Sequence, residues 1–202
     1  MLKTKIDIRD QLLRCLKVST PKSSDFDLNS DYQNITDKLL REAAVLVAVQ
    51  MIKDEPHIIL TKRAAALKHH PGQVAFPGGK VDTEDTDVIG AALREAEEEI
   101  GLPPSQVEVL GCLAPHITIT GFRITPIIGL VTGTALLKAE QREVEEIFMV
   151  PFSFLSDPRN YYICSRRYFA KSRKYYTVPY GPYYIWGATA RMLIGLAERL
   201  QT

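Results

Sequence analysis

The chain of 202 residues is 46% hydrophobic and 24% charged, the make-up of one folded domain with a substantial core rather than of a disordered chain. Its 25 Lys and Arg stand against 24 Asp and Glu, a formal net charge of +1, so no global field steers it to nucleic acid or an anionic membrane, and charge-driven specificity must be local. Cys15, Cys112 and Cys164 lie far apart, without the close spacings of a zinc site or a disulfide framework, and are expected to be buried, reduced thiols.

The first residues, Met1-Leu2-Lys3-Thr4-Lys5, are not followed by a long apolar run, and no later stretch approaches the length needed to span a bilayer; the expectation is a cytoplasmic protein without membrane contact. Leu200-Gln201-Thr202 is not a Ser-Lys-Leu address. Residues 5–17 carry Ile6, Ile8, Leu12, Leu13 and Leu16 with charges between, which predicts a short amphipathic helix, an N-terminal appendage. From Ser19 to Asp37, Pro21, paired serines and several Asp and Asn residues predict a connector without catalytic residues. Residues 1–38 are thus set apart from a domain over 39–202.

Ala43 to Val49 and Ile58 to Leu60 are β-prone runs separated by Lys53-Asp54-Glu55-Pro56, predicted as paired core strands. Val74-Ala75-Phe76 is stopped by Pro77-Gly78-Gly79, and an acidic loop leads to a helix-like segment from about Asp87 to Ile100. Further strands are predicted at Val107 to Leu113, Ile124 to Val131 and Ile147 to Val150, with extended aromatic pieces at Tyr161-Tyr162-Ile163 and Tyr175-Tyr176-Thr177. Residues 187–200 place Ala190, Leu193, Ala197 and Leu200 on one face, with Arg191, Glu198 and Arg199 elsewhere, as in a helix docked on a sheet. Strands interleaved with helices predict an α/β domain with a mixed β-sheet.

The segment Arg94-Glu95-Ala96-Glu97-Glu98-Glu99-Ile100-Gly101-Leu102 carries the chemistry. On a helix Glu95, Glu98 and Glu99 fall at i, i+3 and i+4 and share a face, with Leu93, Ala96 and Ile100 roughly opposite and Glu97 near the apolar edge. Like charges so placed repel by a few tenths of a kcal/mol per pair. A hard divalent ion removes that penalty and leaves positions for phosphate oxygens and water. A solvated acidic face is the plain alternative, but Gly101 suits a left-handed helix end and Gly78-Gly79 lets backbone approach a ligand.

This segment resembles the signature of the Nudix family: Gly, five residues, Glu, seven residues, then Arg-Glu-apolar-any-Glu-Glu-any-Gly-apolar. The second half matches at every specified position. Gly79 supplies the first glycine, with 14 residues between it and Arg94, one more than the general spacing, and Asp85 stands where Glu is usual. Which of Asp82, Glu84 and Asp85 approaches the metal is left open. The resemblance implies an α/β/α sandwich, Mg²⁺ or Mn²⁺ as cofactor, Glu95, Glu98 and Glu99 as metal ligands, and Glu98, Glu95 and Arg94 as catalytic residues, with Arg94 bracing the loop and a glutamate. The general base is one of these glutamates or an acid of a later loop, Glu143, Glu145 or Glu146, for which surface charge is an equal alternative.

A second run, Leu60-Thr61-Lys62-Arg63, Leu67 and His70-Pro71-Gly72-Gln73-Val74-Ala75-Phe76-Pro77-Gly78-Gly79, resembles the extra motif of the coenzyme A diphosphatase branch of that family. It departs at Ala64, where Ser is usual. The longer loop belongs to the same branch. Likeness extends through Gly121 to Pro126, Glu143 to Pro151 and Ile185 to Ala190. What it implies is hydrolysis of coenzyme A or an acyl derivative, a small-molecule substrate rather than nucleic acid or membrane, with Arg63, His70, Gly78, Gly79 and Arg123 as substrate-binding residues and a homodimer among the open oligomeric states. Cations beyond the metal suit the phosphates. Another nucleoside diphosphate derivative, such as ADP-ribose or NADH, and a binding module without turnover are the alternatives.

Overall fold

The computed structural model describes residues 7–19, 22–29, 40–133, 135–168 and 171–201. Residues 5–6 of the first predicted helix and residues 20–21 and 30–37 of the predicted connector lie outside the described residues. Along the chain run α1 (Ile8–Lys17), β1 (Ser23–Ser24), β2 (Arg41–Ile52), β3 (Glu55–Arg63), β4 (Val74–Ala75), β5 (Gly78–Lys80), α2 (Val88–Ile100), β6 (Val107–Cys112), β7 (His116–Ile117), β8 (Phe122–Val131), β9 (Val144–Pro151), α3 (Phe152–Leu155), β10 (Tyr162–Tyr168), β11 (Lys171–Tyr180), β12 (Tyr183–Trp186) and α4 (Gly187–Leu200). The sheet is mixed, as the interleaved pattern predicts.

Strand β2 is its centre. It pairs in parallel with β8 and, along its other edge, antiparallel with β5 near its start and β3 near its end. The β2–β3 turn is two residues, Lys53 and Asp54, both at positive φ (47° and 66°), the conformation that matches strand twist in a tight hairpin. Glu55 and Pro56 therefore join the ladder opposite Ile52 and Met51, although their polarity and Pro56 read as turn in the sequence.

Alternation along β2 sends Ala44, Leu46 and Ala48 to one core and Val47 and Val49 to the other. The first core packs on α2 through Ala91, Ala92 and Ala96, small residues that let the helix approach the sheet closely. The second includes α4, β12 and, unexpectedly, α1: Leu12 and Cys15 are buried beside Leu193 and Leu196. The first helix is therefore part of the domain core rather than an appendage, because its Leu12 face finds apolar surface on α4 and β6. Helix α4 is buried on more than one stripe, Arg199 included. Among the described residues no helix is long and apolar enough to cross a membrane. The three cysteines are free; Cys15 is buried as expected, whereas Cys112, at the end of β6, is exposed.

Ser23–Ser24, not expected from the pattern, adds a short parallel strand beside His116 and Ile117. The extended pieces predicted around Tyr162-Ile163 and Tyr175-Tyr176-Thr177 fall in β10 and β11, which with β12 form a separate antiparallel sheet.

Candidate active site

Helix α2 is delimited by its sequence. The Asp87 carboxylate caps it by accepting from the Ile89 and Gly90 N–H groups at 2.9 and 2.8 Å, and Gly101 ends it at φ 65°. Its last turn carries Glu97, Glu98 and Glu99 and no basic residue. Acids there oppose the helix dipole, at roughly 0.3–1 kcal/mol each. Stability alone does not account for them.

The three predicted ligands are not equally placed. Side-chain exposure is 60% for Glu98, 16% for Glu95 and 4% for Glu99. Glu99 lies at i+7 and i+3 from Ala92 and Ala96 and turns inward with them, while Glu97, expected at the apolar edge, is exposed. Buried Glu99 is held by the Gly78 N–H, which donates to its Oε2 at 3.1 Å, and by Arg63, 3.6 Å from its Oε1. Burial nevertheless pushes its carboxyl up to about 7, with Glu95 and Glu143 adding to the rise. Glu95 is also raised, chiefly by burial, against the charge of Arg94.

The glycine pair fits closely around these acids. A Cβ at Gly79 would fall on the Glu95 carboxylate, and one at Gly78, whose φ is 153°, would meet the backbone of Ala44 and Val45 at 2.6 Å or less. Glycine at both positions is what lets β5 lie between β2 and α2.

Arg94 ties loop to helix. Its Nε and one terminal nitrogen donate to the two oxygens of Asp85 at 2.9 and 3.0 Å, and the latter nitrogen also reaches the Lys80 carbonyl at 3.2 Å. Its other terminal nitrogen donates to Glu95 and Glu98 at 3.1 and 3.0 Å. The Asp85 hydrogen bonds raise the arginine's proton affinity and lower that of Asp85. Of the loop acids, Asp85 is thus engaged as the bidentate partner of Arg94, and Asp82 stands 3.6 Å from the same guanidinium.

As arranged, and among the described residues, no three His, Cys, Asp or Glu side chains converge enough to hold a metal ion. Glu95 and Glu98 are turned to Arg94, and Glu99 to Gly78. The donor set still fits a hard divalent cation: it offers carboxylate oxygens alone, burial raises two of the groups against the charge of their arginine partners, and Glu98 is exposed enough to turn.

Of the later acids, Glu145 accepts from Lys62 Nζ and Glu146 from the Tyr183 hydroxyl, each at 2.6 Å. Glu143 has no such side-chain partner among the described residues, and its charge raises both Glu95 and Glu99.

On the other side of the glycine pair opens a cavity of about 970 Å³. Arg63, His70, Gly78 and Gly79 all line it. The β3 register shifts between Lys62 and Arg63, an irregularity that re-aims side chains, and His70 sits at a positive φ of 55°. Arg123 is not among the lining residues: Phe122 and Ile124 line the cavity, and the intervening Arg123 takes the opposite face and pairs with Glu42 at 2.8 Å.

Sequence reasoning missed the basic part of the wall. Arg166, Arg167, Arg173 and Lys174 come from β10 and β11, and Tyr175, Tyr176 and Trp186 add aromatic surface. The basic clustering at 166–167 and 171–174 was a visible signal. From the expected connector come Ser24, Asp25 and Leu28. That segment is fastened: Asp25 accepts from the Ile119 N–H and Arg173, both at 3.0 Å, and lies 3.3 Å from His116 Nε2, while Asn29 exchanges two 2.8 Å bonds with the Lys174 backbone. Ser23 lies 2.9 Å from His116 Nδ1. Serine, histidine and aspartate in series resemble a nucleophilic triad, but His116 is fully buried and Asp25 is also held by the Ile119 N–H and Arg173, so the series is an anchor.

A family model described as the NUDIX domain matches residues 40–170. Two relatives, each named an uncharacterized Nudix hydrolase NudL, from Enterobacter sp. and Escherichia coli, are 39% and 40% identical over 160 residues, covering 79% of this chain and 83% of each relative. The crystal structure of a MutT/nudix family protein from Enterococcus faecalis aligns with 96% of this chain and 74% of its own at a TM-score of 0.50 and 15% identity, a likeness of fold alone. Because the family match runs through the central strands, the glycine turn and the acidic helix together, the chain belongs to the Nudix family and is a hydrolase of a diphosphate substrate.

Proposed function

We propose that the substrate is coenzyme A or an acyl-coenzyme A, cut at its diphosphate to 4′-phosphopantetheine and adenosine 3′,5′-bisphosphate. The observation that carries this reading is the single cavity that joins the His70 to Gly79 run to an aromatic and basic wall. Its volume is at the upper end for small-molecule sites, about 300–1,000 Å³, which suits a long substrate with several anionic groups. Tyr175, Tyr176 and Trp186 supply faces on which an adenine can stack.

Glu95, Glu98 and Glu99 are assigned to hold Mg²⁺ or Mn²⁺, which when bound neutralises diphosphate charge and lowers the pKa of water. Gly78 and Gly79 allow the diphosphate to approach the backbone, and Arg63 adds positive charge beside it. Arg94 acts through others: it holds Asp85, Glu95 and Glu98 in register, so the loop and helix keep one spacing. Glu143 is assigned the proton of the attacking water, since Glu145 and Glu146 are occupied by Lys62 and Tyr183. Such positioning and electrostatic help are the main terms in phosphoryl transfer.

The test incubates the full chain with coenzyme A, ADP-ribose and NADH, each with Mg²⁺ or Mn²⁺, and identifies products by mass. Release of 4′-phosphopantetheine is the expected result. Intact coenzyme A alongside cleaved ADP-ribose or NADH would overturn the substrate and leave the reaction class standing. Binding without turnover of any of the three would favour a binding module instead.

A further inference from the structure

We infer that the β10–β11 hairpin forms a second anion subsite of the cavity, which grips a monoester phosphate of the substrate away from the diphosphate. The first observation is electrostatic. In the antiparallel register Arg166 stands directly opposite Arg173, and like charges opposite one another destabilise a strand pair. Arg173 is balanced by Asp25 at 3.0 Å and Arg191 by Asp27 at 2.9 Å. Among the described residues Arg166, Arg167 and the Lys174 side chain have no acidic partner, and Asp25 is the one acid among the cavity's lining residues. Positive charge is left over on this part of the wall.

The second observation is continuity. The same cavity touches Gly78, Gly79 and Arg63 at the acidic helix and Arg166, Arg167 and Lys174 at the hairpin. A ligand that fills it meets anion-binding groups in two separate places, so it should carry two separate anionic groups. This inference rests on the coenzyme A reading: with the diphosphate at the glycine pair, the remaining charge is the 3′-phosphate of the ribose. Arginine forks suit a dianionic monoester.

Two measurements test it on the full chain. Calorimetry compares adenosine 3′,5′-bisphosphate with 5′-AMP, and kinetics compares kcat/KM for coenzyme A with that for dephospho-coenzyme A, in wild type and in Arg166→Gln/Arg167→Gln. Wild type should favour the 3′-phosphate by about 10- to 100-fold in both, the worth of one or two charge-assisted hydrogen bonds. The double variant should bring both ratios close to one. Its melting temperature should hold or rise, because the cross-strand repulsion is gone. Equal affinity for the two nucleotides in wild type, or an undiminished preference in the variant, would overturn the subsite. A retained nucleotide preference with coenzyme A left uncut would sink the substrate reading and keep the subsite.

Discussion

The cavity has two charged sides built in opposite ways. The acidic side is a contiguous loop and helix, residues 78–101, whose side chains are set by local spacing, an N-cap and two glycines. The basic side is assembled from the 23–29 segment, the β10–β11 hairpin and the start of α4, which meet only in the fold. Both concentrate like charge at a cost, glutamates at a helix C-terminus and arginine opposite arginine. The Asp25 network within the basic side is different, since each polar group there has its partner. Unbalanced charge marks where a ligand goes, and balanced charge marks what holds the walls in place.

That contrast breaks most sharply on the acidic side. Glu98→Gln and Glu99→Gln should each lower kcat/KM by roughly 10²- to 10³-fold, as loss of a preorganised electrostatic group does. Neither should lower the melting temperature, and Glu99→Gln should raise it, because it removes a buried charge flanked by Glu95 and Glu143. Near-wild-type turnover in both would erase the difference between the two kinds of charge.

The close packing of the glycine turn is the next lever. Gly78→Ala forces a side chain into the β2 backbone at a φ that favours glycine. It should cost roughly 2–5 kcal/mol in urea unfolding.

Asp25→Ala should cost about 3 kcal/mol by stranding Arg173 and His116. Burial alone would raise the Asp25 carboxyl, but His116, the Ile119 N–H and Arg173 outweigh it and hold it below 3.8. Its folded value is therefore the lower one, so its stabilisation is complete above about pH 4 and fades as pH falls through that folded value. The gap between wild type and variant should shrink on acidification below pH 4, and a widening gap would contradict the anchor. Smallest is Lys62→Ala, which loses an exposed pair with Glu145 and should change stability by less than about 1 kcal/mol.

The sequence made the acidic side legible because one helix period and one glycine pair determine it. The β2–β3 pairing and the α2 bounds were readable for the same reason. What stayed hidden depends on distant partners. That Glu99 turns inward follows from its place above Ala92 and Ala96 on a helix pressed to the sheet. That Arg123 faces away from the cavity follows from its parity on β8 beside β2. Nothing local in Ser23–Ser24 announces a strand; His116 and Ile117, far along the chain, make it one.

The most direct measurement concerns the acids themselves. Titrate Mn²⁺ into the full chain and follow the free ion by its paramagnetic resonance, in wild type and in Glu95→Gln/Glu98→Gln/Glu99→Gln. Wild type should take up Mn²⁺ and the triple variant should leave it free in solution. Equal uptake by both proteins would show that these carboxylates do not hold the ion, and the chemistry assigned to the helix would fall.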